Sequence, residues 1–210
     1  MTLLTSPCPY LNLMPGHRYR GPDGLPVAKS VTGVLAASDP PGKREAIMAT
    51  RHLWEGRGNA CHGALERWIQ SDRQWTPTYD DPTFSKWSEW VVPLLTWSGW
   101  DDVVFTASEL PLHHPELDVA GCMDGAFRNG HGHVAFDLKS RGQRHSGTYS
   151  TAAQLGGYIT LAERWGITFD IAATIWARPG RWPTVSLYSI DDCRTAWAKA
   201  WAAYQQSLPF

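Results

Sequence analysis

Apolar and polar positions change period along the chain, and each period predicts an element. Residues 1–28 mix apolar side chains with Pro and Gly at no fixed spacing and predict an irregular arm. A short segment, Lys29-Ser30-Val31-Thr32-Gly33-Val34-Leu35, follows, and a helix is expected after Asp39-Pro40-Pro41, because proline suits a first helical turn. Ala60, Ala64, Leu65 and Trp68 recur at helical spacing and predict a helix over about 58–69. Asp81-Pro82 signals a third helix running towards Trp97. The period then shortens to two. Strands are expected at 103–106 leading into 109–112, at 117–128 and at 133–140. The last two flank the turn-forming run Asn129-Gly130-His131-Gly132. Ser146, Thr148 or Ser150 can cap a helix that runs to Trp165. Strands at 169–176 and 184–190 precede a last helix, from Asp191-Asp192 to about Gln206.

This order predicts a mixed α/β fold with a central sheet flanked by helices. At 210 residues the chain makes one domain, with a core over roughly 29–176 and a terminal strand and helix over 177–210.

Composition narrows the class. Hydrophobic residues make 43%, charged residues 19%, and the mean hydropathy is −0.32, which excludes a disordered chain. No apolar run is long enough to span a bilayer, so no membrane partner is expected. Prolines interrupt the N-terminal apolar residues, so no secretory signal is expected. Four scattered cysteines (Cys8, Cys61, Cys122, Cys193) form no CxxC pair and suggest neither a zinc ribbon nor a disulfide framework; a reducing cytoplasm is the expected compartment. The net charge of −1 argues against coating nucleic acid by charge alone. Its distribution is uneven: residues 1–60 carry +3, 61–124 carry −8 and 125–210 carry +4. An acidic centre between basic ends fits a cation site beside an anion-binding rim, and equally an ordinary mixed surface.

The candidate chemistry lies on the hairpin. In Phe136-Asp137-Leu138-Lys139 the strand period puts Asp137 and Lys139 on one face and Phe136 and Leu138 on the other. A Gly130-His131 loop, or a four-residue loop over 129–132, places Asp124 directly opposite Asp137; an Asn129-Gly130 loop makes them diagonal. Two facing carboxylates repel unless a cation lies between them, and oxygen ligands suit Mg²⁺ or Mn²⁺. With Lys139 beside them, these residues fit metal-assisted phosphodiester hydrolysis, or else a solvated ion-pair cluster.

Five motifs in order extend the pattern: Gly58-Asn59-Ala60-Cys61-His62-Gly63-Ala64-Leu65-Glu66 on a helix; Glu109; Gly121-Cys122-Met123-Asp124; Asp137-Leu138-Lys139; and Gln154-Leu155-Gly156-Gly157-Tyr158. This set resembles the GxxD…DxK…QxxxY signature of RecB-type nucleases in the PD-(D/E)XK superfamily. Ser30-Val31-Thr32, with Lys43 beyond it, is similar to phage exonucleases and to the mitochondrial genome-maintenance exonuclease. The resemblance implies a restriction-endonuclease-like core and a Mg²⁺- or Mn²⁺-dependent deoxyribonuclease, an exonuclease more than a sequence-specific or structure-specific endonuclease. It implies His62, Asp124, Asp137 and the Leu138 carbonyl as metal ligands. Lys139 would position or deprotonate the attacking water. Glu109 would serve a second ion or hold the first, and Gln154 and Tyr158, one helical turn apart, would brace the site or touch DNA. A phage-type role in recombination, replication or DNA processing follows by analogy, with DNA (single-stranded or duplex ends) as substrate, a recombination or replication protein as partner and the host cytoplasm as location. No iron–sulfur cluster is expected, because relatives that carry one use a C-terminal cysteine group and only Cys193 lies near the end. An inactive DNA-binding or interaction module on the same fold is the other reading.

Several residues read two ways. Glu66, four after His62, is a surface or supporting residue. His113-His114 and His131-x-His133 sit at a strand end and a turn and are expected to be solvated. Cys122 is expected to pack in the interior. Trp87, Trp90, Trp97 and Trp100 form a core-facing stripe or a wall for single-stranded DNA. The loop from Lys139 to His145, with Arg141 and Arg144, is the candidate phosphate contact, and Arg18, Arg20, Lys29, Lys43 and Arg44 a second basic wall.

Overall fold

The computed structural model describes residues 2–14, 18–40, 42–78, 80–142 and 148–208. Arg144, expected to contact DNA, and Ser146, a possible helix cap, lie outside the described residues. The arm carries β1 (Asn12–Met14) and β2 (Arg18–Arg20), and β3 (Lys29–Ser30) leads into α1 (Val31–Ser38). Next come α2 (Lys43–Ala49), α3 (Arg51–Gln70), α4 (Pro82–Ser85), α5 (Ser88–Leu95) and a 3₁₀ turn at Ser98–Trp100. Then follow β4 (Val104–His114), β5 (Val119–Asn129), β6 (Gly132–Ser140) and α6 (Ala152–Glu163). The chain closes with β7 (Ile171–Arg178), β8 (Arg181–Ser189) and α7 (Ile190–Gln206). This is a mixed α/β fold with a central mixed sheet flanked by helices.

The sheet runs β3-β5-β6-β7-β8, and β4 pairs with β5. β3 and β6 run parallel to β5 and β7 respectively, and the other pairs are antiparallel. β4 follows one edge of β5 almost throughout. The opposite edge is shared: β3 takes Val119 and Ala120, and β6 takes Gly125 to Asn129. Residues 121–124 therefore lie in a notch with no strand on that side. β6 turns off Asn129↔Gly132 through the two-residue loop Gly130-His131, closed by the Asn129 side chain accepting from the His131 amide at 2.9 Å. That register points Asp124 at Asp137, but the ladder ends one step earlier, at Gly125↔Phe136.

Each face of the sheet buries its own core. Phe105, Phe127, Phe136 and Leu138 pack with Ala60, Cys61, Ala64 and Leu65 of α3 and with Val91 and Leu94 of α5. Val31, Met123, Leu155, Ile159, Cys193 and Trp197 fill the other, between the sheet and α1, α6 and α7. Trp100 is buried and its indole donates to the Leu94 carbonyl at 2.7 Å. Trp87, Trp90 and Trp97 pack partly buried against the same core, so the tryptophan stripe is interior packing.

The α6–α7 contact depends on a missing side chain. A Cβ at Gly156 would stand 2.0 Å from the Cys193 carbonyl oxygen and 2.8 Å from the Trp197 Cβ. Gly156→Ala is expected to force the helices apart and cost about 3 kcal/mol, read as a lowered denaturation midpoint at unchanged slope.

Some expectations are corrected. The arm is not wholly irregular: β1 and β2 pair, and Cys8, Leu11 and Tyr19 bury against Ala120. No period marks this because the partners lie a hundred residues away. The helix expected from Asp81 to Trp97 breaks between Ser85 and Ser88; Asp81 does cap its start, accepting from the Thr83 amide at 2.9 Å. α6 begins after Thr151, one residue beyond the last of the three expected caps; Ser150 still accepts from the Ala152 amide. His113 and His133 are buried, not solvated. His133 bridges the Thr106 hydroxyl at 2.8 Å and the Thr168 carbonyl at 2.7 Å, which compensates its burial.

Candidate metal centre

α3 turns Ala60, Cys61, Ala64 and Leu65 inward, and the 3.6-residue period leaves His62 and Glu66 at the rim of the helix, facing the notch in the sheet. The strands supply the rest. The β4–β5 register pairs Ser108 with Gly125 and Leu110 with Met123, which puts Glu109 across from Asp124. Glu109 holds this place with φ +45°, a left-handed conformation that a non-glycine residue adopts in mid-strand only when its surroundings impose it.

Nδ1 of His62 stands 3.6 Å from Oε1 of Glu109 and 3.6 Å from Oδ1 of Asp124, and the three ligand atoms all lie within 4.8 Å of one another. Both separations exceed hydrogen-bond length. Ligands held about 2.1 Å from one ion stand roughly 3–3.5 Å apart, so the spacing and the N/O/O donor set fit a divalent cation. The other oxygen of Asp124 accepts from the Leu138 amide at 2.6 Å, which spans the notch where the ladder stops and fixes the carboxylate.

Phe136 and Leu138 point into the α3 core, so Asp137 and Lys139 point to the opposite face, as the strand period predicts. Asp137 is wholly buried, and the Lys139 ammonium lies 2.9 and 2.8 Å from its two oxygens. The ligand atoms that lie within 4.8 Å of one another are those of His62, Glu109 and Asp124, whereas Asp137, which the resemblance implies as a metal ligand, is paired with Lys139.

The electrostatics follow from burial and neighbours. Burial pushes the Asp137 carboxyl up to about 6, with Lys139 opposing and Asp124 adding to the rise. Asp124 is raised by burial, against the pull of His62 and Lys139. For His62, burial disfavours the charged ring, but the carboxylates of Asp124 and Glu109 outweigh it and lift the imidazole to about 9. Burial also works against the Lys139 charge, and Asp137 and Asp124 more than offset it, so Lys139 is held firmly protonated.

The structure brings further residues here. Cys122, expected in the interior, is only partly buried, and its thiol donates to Oε2 of Glu109 at 3.4 Å; the signal was its i, i+2 relation to Asp124 on one strand face. Glu66, raised by burial and by Glu109, faces the same charges and accepts from Gln70 at 3.0 Å. Tyr19, buried on β2, has its phenol raised by burial and then by Cys122, Glu109 and Asp124. No local pattern could have placed it.

The Gln154 amide donates to the Tyr158 hydroxyl at 3.1 Å, and Tyr158 is buried against β5. Gly121 allows this, since a Cβ there would stand 2.8 Å from the tyrosine ring. Ser30 caps α1 through the Gly33 amide at 3.0 Å and lies 3.1 Å from the Thr32 hydroxyl, on the strand beside Ala120. Lys43 lies apart on α2 in an ion pair with Asp39. Arg141 leaves β6 next to Lys139, its amide donating to the Ala177 carbonyl at 2.9 Å.

No family model matches the chain, and no curated protein matches it. Among solved structures, the protein described as SSO0001 in its crystal structure is similar over 70% of each chain, with a TM-score of 0.33 and 9% identity. At that level of likeness the reading of the site rests on its own geometry. No helix among the described residues is long and apolar enough to cross a membrane.

Proposed function

We propose that this protein is a divalent-cation-dependent deoxyribonuclease with a PD-(D/E)XK core, acting as an exonuclease on DNA ends. One observation carries the reading: His62, Glu109 and Asp124 converge within 4.8 Å beside the Asp137–Lys139 pair. A bound Mg²⁺ or Mn²⁺ would polarise the phosphate and lower the pKa of a bound water. The chain's own residues do the remainder. His62, Glu109 and Asp124 would hold the ion, and the Leu138 amide keeps Asp124 oriented. Lys139, charged at neutral pH, donates to the phosphate or to the attacking water and offsets negative charge that develops in the transition state. Asp137 sets the position of that ammonium. Tyr158, braced by Gln154, shapes the wall behind Asp124.

The test is digestion of linear and covalently closed circular DNA with Mn²⁺ or Mg²⁺. Linear DNA is expected to shorten from its ends, circles to survive, and EDTA to stop the reaction. Nicked or linearised circles would make the enzyme an endonuclease. Binding without cleavage of either substrate would leave an inactive DNA-binding module.

A further inference from the structure

Beyond Lys139 the strand ends in a cluster of aromatic rings and guanidinium groups that the cation centre does not use. Tyr149 is 53% exposed although it is a large aromatic residue. Its ring is nevertheless held in place. It stands edge-on to the wholly buried Trp176, with centroids 5.1 Å apart at 81°, and the Arg141 guanidinium lies 5.4 Å from its centroid and 5.5 Å from that of Trp176. Trp176 is itself fixed, donating to the Ser186 hydroxyl at 2.9 Å. Arg141 is anchored through its backbone at both ends, because its carbonyl accepts from the Trp90 indole at 2.7 Å and its amide donates to Ala177. Arg57 adds charge behind it, donating to the Ser140 hydroxyl at 3.1 Å with its guanidinium 5.5 Å from the Trp90 ring.

This cluster adjoins the proposed reaction centre. Trp176 is the β7 partner of Lys139 in the parallel register, so Tyr149 sits over the strand pair that carries the lysine. An aromatic ring that is exposed yet held by its neighbours loses little side-chain freedom when a second ring stacks on it. The adjoining guanidinium groups offer charge to the phosphates on either side of such a base.

We propose that Tyr149 is a base-stacking residue that selects an unpaired substrate strand, with Arg141 as its phosphate partner. This rests on the nuclease reading for its substrate but not for its test. In a duplex both faces of each internal base are already stacked, so a single exposed ring gains contact only with a base that is unpaired or has frayed from an end. The platform therefore favours single strands and frayed ends over closed duplex.

The experiment measures binding alone, in EDTA, by fluorescence anisotropy of a labelled oligothymidine and of a blunt duplex of equal length. Tyr149→Phe keeps the ring, and Tyr149→Leu keeps apolar cover over Trp176 but removes the π face. Wild type and Tyr149→Phe are expected to bind the single strand alike, and Tyr149→Leu about tenfold more weakly, with duplex binding changed less than about twofold. Tyr149→Leu equal to wild type on the single strand, or weakened equally on both DNAs, overturns the proposal, as does wild type that binds neither. A thermal melt of each variant confirms folding. Failure of wild type to degrade DNA with Mn²⁺ overturns the nuclease reading and leaves this binding result standing.

Discussion

Lys139→Met is expected to lower DNA hydrolysis by about a thousandfold, with DNA binding largely kept. The ammonium contacts both oxygens of the buried Asp137 and acts on Asp124 as well, and removing a preorganised charge of this kind costs on the order of 10²–10³ in rate, with general acid–base roles adding to that. The same change leaves Asp137 buried without its partner. Breaking such a pair from one side destabilises by about 3 kcal/mol, so loss of activity must be separated from loss of fold. The double variant Asp137→Asn/Lys139→Met carries neither charge. It is expected to regain most of the stability and none of the activity. Steady-state digestion of end-labelled linear DNA, alongside urea denaturation of all three proteins, reads both quantities. Wild-type rates in Lys139→Met would remove the lysine from the reaction.

Asp124→Asn is expected to abolish the stabilisation that Mn²⁺ gives the protein. The amide oxygen still accepts from the Leu138 amide, so the notch in the sheet stays bridged, but one negative ligand to the ion is lost. Loss of a charged ligand lowers affinity at least about a hundredfold, since even the groups that merely orient ligands are worth 10–100-fold. At a Mn²⁺ concentration a hundred times the wild-type Kd, wild type gains about 2.7 kcal/mol and the variant about 0.4 kcal/mol. Thermal denaturation across a Mn²⁺ titration checks this without any substrate. An undiminished shift in Asp124→Asn would mean that the ion binds elsewhere.

The two variants probe the two strands of one hairpin, and their pairing explains what local pattern could show. The alternation in Phe136-Asp137-Leu138-Lys139 assigns faces correctly because a strand has a period of two whatever it packs against. The Gly130-His131 turn and its register were legible for the same reason: turn chemistry is local. The rim position of His62 follows from the apolar stripe of α3. Glu109 was legible as a candidate, but not its left-handed backbone or its place beside His62 in preference to Asp137. Those depend on β4 following β5 past the point where β6 departs.

Cys122 and Tyr19 mark the limit more sharply. Cys122 could have been read from its spacing to Asp124. Tyr19 reaches the site only because β1 and β2 fold over Ala120, a contact between segments a hundred residues apart. The burial of His113 and His133 was missed for a related reason. A strand end looks solvated until another segment covers it, as the arm does over His113, where the Tyr10 hydroxyl meets Nδ1 at 3.3 Å.

The amino-acid order alone therefore determined the central strands, the last helix, the faces of Asp137 and Lys139 and the residues able to carry charge chemistry, because these follow from periods of 2 and 3.6 and from turn geometry. Tertiary structure alone decided which charges meet. β3 and β6 share one edge of β5 and leave residues 121–124 uncovered between them, and through that opening a helix on one side of the sheet and carboxylates on the strands come within ligand distance.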